Sequence, residues 1–227
     1  MITDPRSFLY RDGALDPAGA TRLTAELIGQ QAGKLLMLHA GGLCNPETGA
    51  SVVYVAPSRT GKTTLTNALL AEVAKSSDRV VIIEDTRELQ CTAPNLVAMR
   101  TKDGVATLAD LVRSSLRLRP DRIPIGEVRG AEALDLLKAW GTGHPGGIGT
   151  IHAGSAMGAL RRMEQLIQEA VVTVPRALIA ETINLVAVLV REGTGRRLAE
   201  LARVDGLDPV TGDYRLIPAT QTQGDLL

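Results

Sequence analysis

The chain has 227 residues, of which 25 are basic and 25 acidic, so its formal net charge is zero. That length holds one well-packed α/β domain and a small appendage but not two full-size domains, and the charge balance argues against a polyanion binder or an electrostatically held membrane protein. One Phe, three Tyr and one Trp leave no aromatic set for stacking on single-stranded nucleic acid, so no direct nucleic-acid binding is expected.

The two cysteines, Cys44 and Cys91, have neither C-x-x-C nor metal-ligand spacing, which suits a reducing compartment. The N-terminal MITDPRSFLYRD lacks a basic segment followed by an apolar core, and the longest apolar stretch, near Leu185 to Val190, is too short to span a bilayer. The expectation is a soluble, intracellular protein.

Residues 1–50 read as a short N-terminal segment. Asp16-Pro17 predicts a helix start, with Leu23, Leu27 and Ile28 on one face of a helix from Ala18 to Gln31. Lys34 to His39 is a short apolar run, and the following GGLCNPETGA is a loop.

From Ser51 the chain alternates strand and helix, the pattern of a mostly parallel sheet. SVVYVAPSRTGKTTL, Ser51 to Leu65, reads as strand, phosphate loop and helix. Gly61 lets the backbone approach phosphate oxygens, so that successive N–H groups and the helix N-terminus point at the anion. Lys62 supplies a point charge for the β/γ-phosphates and the hydroxyl of Thr63 a ligand for Mg²⁺. Ser58, Arg59, Thr60 and Thr64 complete the nucleotide-binding stretch. The motif departs from G-x-x-x-x-G-K-[ST] in having Ala56 at the first glycine and Arg59 where a small residue is usual.

The helix Thr64 to Lys75 places Leu65, Ala68, Leu69 and Val73 on one stripe. RVVII, Arg79 to Ile83, is a β-branched run of the kind covered on both faces. It ends in Glu84-Asp85, two carboxylates at a strand's C-terminal end, where open α/β sheets bind ligands. Leu108 to Leu118 predicts a helix with Leu108, Leu111, Val112, Ser115 and Leu116 inward, stopped by Pro120. RIPIGEV, Arg122 to Val128, reads as a third short strand that delivers Glu127 beside the phosphate loop, with an irregular step expected at Pro124. A carboxylate there can orient water for attack on a γ-phosphate.

Glu132 to Trp140 predicts a helix with Ala133, Leu136, Leu137 and Trp140 on one side, followed by a glycine-rich loop carrying His144 and His152. Either histidine is placed to sense a γ-phosphate or to bridge to a neighbouring subunit, and their spacing is poor for zinc. Helices Ala156 to Ala170 and Arg176 to Ile183 follow, then strands Leu185 to Arg191, Arg196 to Val204 and Tyr214 to Ile217, expected as an antiparallel meander. The organisation is therefore 1–50 N-terminal segment, 51–218 nucleotide-binding domain and 219–227 tail.

APSRTGKTT, VVIIEDTRELQC, LRLRPDRIPIGEVRG and TGHPGGIGTIHAG stand in that order, and together they resemble the Walker A, Asp-box, Walker B and His-box motifs of the type II/type IV secretion ATPases. The resemblance covers roughly Val52 to Asp205. It implies a RecA-like P-loop NTPase, α/β, with a mostly parallel central sheet flanked by helices and a C-terminal antiparallel extension. It also implies an ATP hydrolase using ATP and Mg²⁺, cytoplasmic and peripheral to the inner membrane. The implied partners are further copies in a homo-oligomeric, hexameric ring and other secretion or conjugation proteins.

By that resemblance Lys62 and Thr63 hold phosphates and metal, Glu84 and Asp85 help position water, Glu127 is the catalytic glutamate, and His152 senses the γ-phosphate. Arg100, Arg113, Arg119 and Arg129 are candidates for interfacial or transition-state charge. Residues 1–50 do not match the family's N-terminal domain and read as its remnant. The alternative to a working motor is a truncated or degenerate relative that binds nucleotide or docks on other subunits without effective turnover.

Overall fold

A computed structural model describes residues 10–11, 14–15, 38–39, 42–43, 51–55, 62–144, 146–192 and 195–218. The expected helix over Ala18 to Gln31, the phosphate-loop residues 56–61 and the tail lie outside them. In the N-terminal segment Leu38–His39 pairs antiparallel with Gly42–Leu43. Two residues of the expected loop are therefore strand-paired.

The sheet is built from β1 (Ser51–Val55), β2 (Arg79–Glu84), β3 (Asn95–Arg100), β4 (Ile148–Ile151), β5 (Ile183–Glu192), β6 (Gly195–Leu207) and β7 (Tyr214–Pro218). Five strands run in the order β7-β6-β5-β1-β4, and β2 pairs in parallel with β3. Residues 122–128 join the two parts. Val81 and Ile83 N–H donate to Arg122 and Pro124 carbonyls on one side, while Ile125 and Val128 N–H donate to Ile148 and Thr150 carbonyls on the other. Proline at 124 has no N–H to give, and only isolated bridges form at Arg122 and Ile125. The irregular step expected there is present.

β5 pairs in parallel with β1, so the antiparallel extension begins only at β6 and β7. β5, β6 and β7 form the expected antiparallel meander, and its first strand joins the parallel sheet because the α-helix preceding β5 returns the chain to the same end of the sheet as a crossover does. β3, which the sequence reading does not anticipate, lies at the sheet's other border with alternate positions exposed.

Helices α1 (Lys62–Val73), α2 (Leu108–Ser115), α3 (Glu132–Gly141), α4 (Ala156–Gln168) and α5 (Arg176–Thr182) pack on the sheet. Strand alternation divides the core. Val80 and Ile82 face α1's Leu65, Leu69, Leu70 and Val73, while Val81 and Ile83 face a larger cluster that includes Val112, Leu136, Leu137, Trp140, Leu160 and Met163. Every helix differs from expectation at one limit or both: α1 spans Lys62–Val73 rather than Thr64 to Lys75, and α3 reaches Gly141. α4 stops at Gln168 and Ile183 opens β5. α2 gives way at Leu116 to a tighter 3₁₀ turn that ends in Arg119 at φ 51°, which turns Leu116 outward to 37% exposure. No helix among the described residues is long and apolar enough to cross a membrane.

α2 starts in a capping box: Asp110 N–H donates to Thr107 Oγ1, and Thr107 N–H donates to the Asp110 carboxylate. Hydrogen bonds from the Thr107 side chain and backbone, and then from Arg113, lower the Asp110 pKa from the usual 3.8 to about 2. A depressed carboxylate stabilises the fold above its unfolded value, and that stability is lost as pH falls through the folded one. Asp110→Asn is expected to flatten the acid slope of thermal unfolding between about pH 4 and pH 2. Identical slopes in variant and wild type would refute the cap's contribution.

Candidate active site at the carboxyl edge of the sheet

Parallel strands end at the same edge, and the residues at their ends are those singled out by chemistry. β1 ends at Val55 and α1 begins at Lys62, β2 ends at Glu84, the 122–128 segment presents Glu127, and His152 follows β4. Ser58, Arg59, Thr60 and Gly61 lie outside the described residues. Thr63 is half-buried and Thr64 exposed on the first turn of α1.

The loop after β2 folds against that turn. Glu84 is 4% exposed, and its Oε1 accepts from Glu88 N (2.9 Å) and Leu89 N (2.6 Å). Its buried carboxylate is thereby met by backbone donors of the loop that follows, which it shapes. The loop brings Glu88 to α1, where Thr63 Oγ1 donates to Glu88 Oε2 at 2.8 Å. Asn67 reinforces the contact, with Nδ2 donating to Glu88 O and Oδ1 accepting from Gln90 N. Glu88 is a site residue that sequence reasoning overlooks. Its only signal is its spacing of four from Glu84, which a loop conformation must convert into proximity.

Glu127, half-buried, is gripped from both oxygens. Arg129 Nη2 lies 2.7 Å from Oε2, and His152 Nε2 contacts Oε1. Arg129 Nη1 lies 3.3 Å from Asp85 Oδ2, so Asp85, Glu127, Arg129 and His152 form one network. Hydrogen bonding to Glu127 is the first cause raising the Arg129 pKa, with Asp85 and Glu88 adding smaller Coulombic support. Beneath the network, Thr150 Oγ1 donates to Gly126 O at 2.6 Å. Glu132, 7% exposed, accepts from Arg129 N (2.7 Å) and Gly130 N (2.9 Å).

The other singled-out charges lie elsewhere. His144 Nδ1 is 2.8 Å from Pro120 O, on the connection entering the amino-terminal end of the 122–128 segment, away from Glu127. Arg119 is in that same connection. Arg113 pairs with Asp110 (3.0 Å) and Asp135 (3.5 Å) on helix surfaces, while Arg100, the last residue of β3, is exposed at the carboxyl edge, opposite Glu84 in register.

Thr63 and Glu88 together present hard oxygen donors, which suit Mg²⁺. No group of three or more His, Cys, Asp or Glu able to hold a metal exists among the described residues. Mg²⁺ commonly completes its shell with waters and substrate phosphates rather than with an all-protein cage, so this donor set fits a nucleotide-bound ion.

A family model described as type II/IV secretion system protein matches residues 48–204. The conjugal transfer protein TrbB of Rhizobium radiobacter is 49% identical over 158 residues, which are 69% of this chain and 49% of that protein. Among solved structures, the VirB11 ATPase of the Brucella suis type IV secretion system, in complex with sulphate, superposes with a TM-score of 0.65 and 30% identity, covering 79% of this chain and 55% of that one. The Legionella pneumophila ATPase DotB superposes at 0.54 with 25% identity, covering 68% and 46%. The chain spans about half the length of the curated relatives it matches.

Proposed function

This chain belongs to the type II/IV secretion system protein family, and from that premise we propose that it is an ATPase subunit of a conjugal-transfer or type IV secretion machine. It binds Mg·ATP and hydrolyses it in a homo-oligomeric ring, proposed to be hexameric, at the cytoplasmic face of the inner membrane, where other machine proteins are its partners. The observation that carries the reading is the convergence of Asp85, Glu127 and His152 on one cluster at the carboxyl edge, the edge at which α1 begins.

In this reading the 58–62 backbone and Lys62 bind the phosphates, and Thr63 with Glu88 would hold Mg²⁺. The bound ion neutralises charge on the phosphate oxygens. Glu84 keeps Glu88 at α1 through the backbone bonds described above. Glu127 orients the attacking water and His152 reports the γ-phosphate, while Asp85 supports the arginine beside Glu127. Since phosphoryl transfer needs mainly positioning and charge stabilisation, a fixed cluster of this kind is adequate machinery.

Phosphate release from Mg·ATP by the purified chain, measured over a range of protein concentrations, tests the reading. Turnover that rises more steeply than protein concentration supports sites shared between subunits. Nucleotide binding without turnover at any concentration would replace the motor by a binding or docking subunit. Lys62→Ala is expected to weaken ATP binding by about 1.5–3 kcal/mol, the range for a hydrogen bond to a charged group. Undiminished ATP affinity in a titration of that variant would remove the phosphate-loop assignment.

A further inference from the structure

Arg129 is a charge at the centre of the cluster to which the proposed hydrolysis assigns no direct role. Its Nε and Nη2 both donate to Glu127 Oε2, at 2.9 and 2.7 Å, and Nη1 faces Asp85 Oδ2. The arginine is itself held from behind, because its backbone N–H and that of Gly130 are bound by buried Glu132. Asp85 steadies it at one end and Glu132 at the other. A guanidinium presents its donors in a rigid plane, so two of them converging on one oxygen restrict the rotation of the carboxylate as well as attracting it. His152 Nε2 meets the other oxygen, Oε1, from the loop after β4.

Two of the donors on Oε2 thus come from a residue anchored at both ends, and the imidazole that meets Oε1 has a side chain 45% exposed.

We infer that Arg129 is the positioning residue for Glu127: it fixes the orientation of the carboxylate and keeps it ionised. The effect on turnover rests on the hydrolytic reading above, but the grip on Glu127 does not. Among the described residues, the charged groups facing Glu127 include Arg129 on its own loop, His152 after β4, Asp85 through the arginine, and Glu84, whose Cγ lies 3.5 Å from the position a Cβ would take at neighbouring Gly126. Glu88 acts on the arginine at longer range. The guanidinium of Arg129 favours the ionised carboxylate at every pH.

The test uses the full chain labelled with ¹³C at glutamate carboxyls, with the Glu127 signal assigned by its loss in Glu127→Gln. In Arg129→Met the Glu127 titration is expected to move to higher pH by about one unit, the low end for loss of a paired arginine, and in Arg129→Lys by less. Arg113→Met, which removes an arginine on α2, controls for loss of a positive charge and leaves Glu127 unmoved. An unmoved Glu127 titration in folded Arg129→Met overturns the inference, and Arg129→Lys decides the matter in the same way if the methionine variant does not fold. In hydrolysis, Arg129→Met lowers kcat by about tenfold to a hundredfold, the scale for a misplaced group, with KM little changed and partial recovery in the lysine variant. Wild-type kcat in Arg129→Met also overturns it. A shifted titration in a chain without any turnover supports the grip and defeats the ATPase reading instead.

Discussion

Glu127→Gln is expected to lower the rate of phosphate release by about 10²–10⁴-fold, the range for removing a positioned acid–base group, while ATP binding persists. The substitution keeps the size of the side chain and removes its charge. Glutamine can still accept from Arg129 through its one carbonyl oxygen, but it cannot serve Arg129 on one oxygen and His152 on the other as the carboxylate does. The residues proposed to bind phosphate at the start of α1 belong to a different element, so nucleotide affinity is expected to stay within a small factor of wild type. Phosphate release and equilibrium ATP binding, measured on the same preparation, separate the two effects. Retention of most of the turnover would move the hydrolytic role to another carboxylate, of which Glu88 is the first to examine because it touches Thr63. Simultaneous loss of binding and turnover would instead make Glu127 part of the nucleotide pocket.

The elements that bring these carboxylates together are legible in the sequence where one physical signal dominates. RVVII is buried on both faces, so its unbroken β-branched run marks β2 and its end at Glu84. The amphipathic stripes of α3 and α4 likewise fix their buried sides, and Pro124 announces the break in the 122–128 segment. The signal fails where the outcome depends on distant partners. β3 reads NLVAMR, whose four-residue apolar run LVAM is too short to tell strand from helix, and its parallel register against β2 makes it a strand. The direction of β5 depends on which neighbour it meets, so a run that is apolar in either direction does not reveal it. Within the site, strand ends could be named in advance, but the roles of Glu88, Arg129 and Glu132 come from loop conformations. Their contacts with Thr63, Glu127 and the backbone at 129–130 have no counterpart in sequence periodicity.

Gly147→Ala is expected to destabilise the chain by about 3 kcal/mol, the upper part of the usual range for overpacking a core, lowering the midpoint of thermal unfolding by about 6–12 °C for a domain of this size. A Cβ at Gly147 would lie 2.0 Å from Trp140 Cε2 and 2.3 Å from Cδ2 and Nε1, far inside contact distance. The indole has little room to yield, since it is 3% exposed and its Nε1 donates to Ile123 O at 3.0 Å. Moving it would break that bond and press the ring on β4, where residue 149 is a glycine at which even an added Cβ would come within 3.0 Å of the far edge of the same ring. The strain enters the functional cluster directly: Gly147 immediately precedes β4, which carries Thr150 against Gly126 and places His152 on Glu127. Trp140 is the sole tryptophan, so its fluorescence follows both the unfolding midpoint and the burial of the ring. Trp140→Leu in the same chain removes most of the obstructing ring. The double variant should therefore lose less stability than the sum of the single changes, the mark of residues in direct contact. Strict additivity, or a glycine variant as stable as wild type, would mean that β4 and α3 do not meet as described, and the position of His152 beside Glu127 would lose its support.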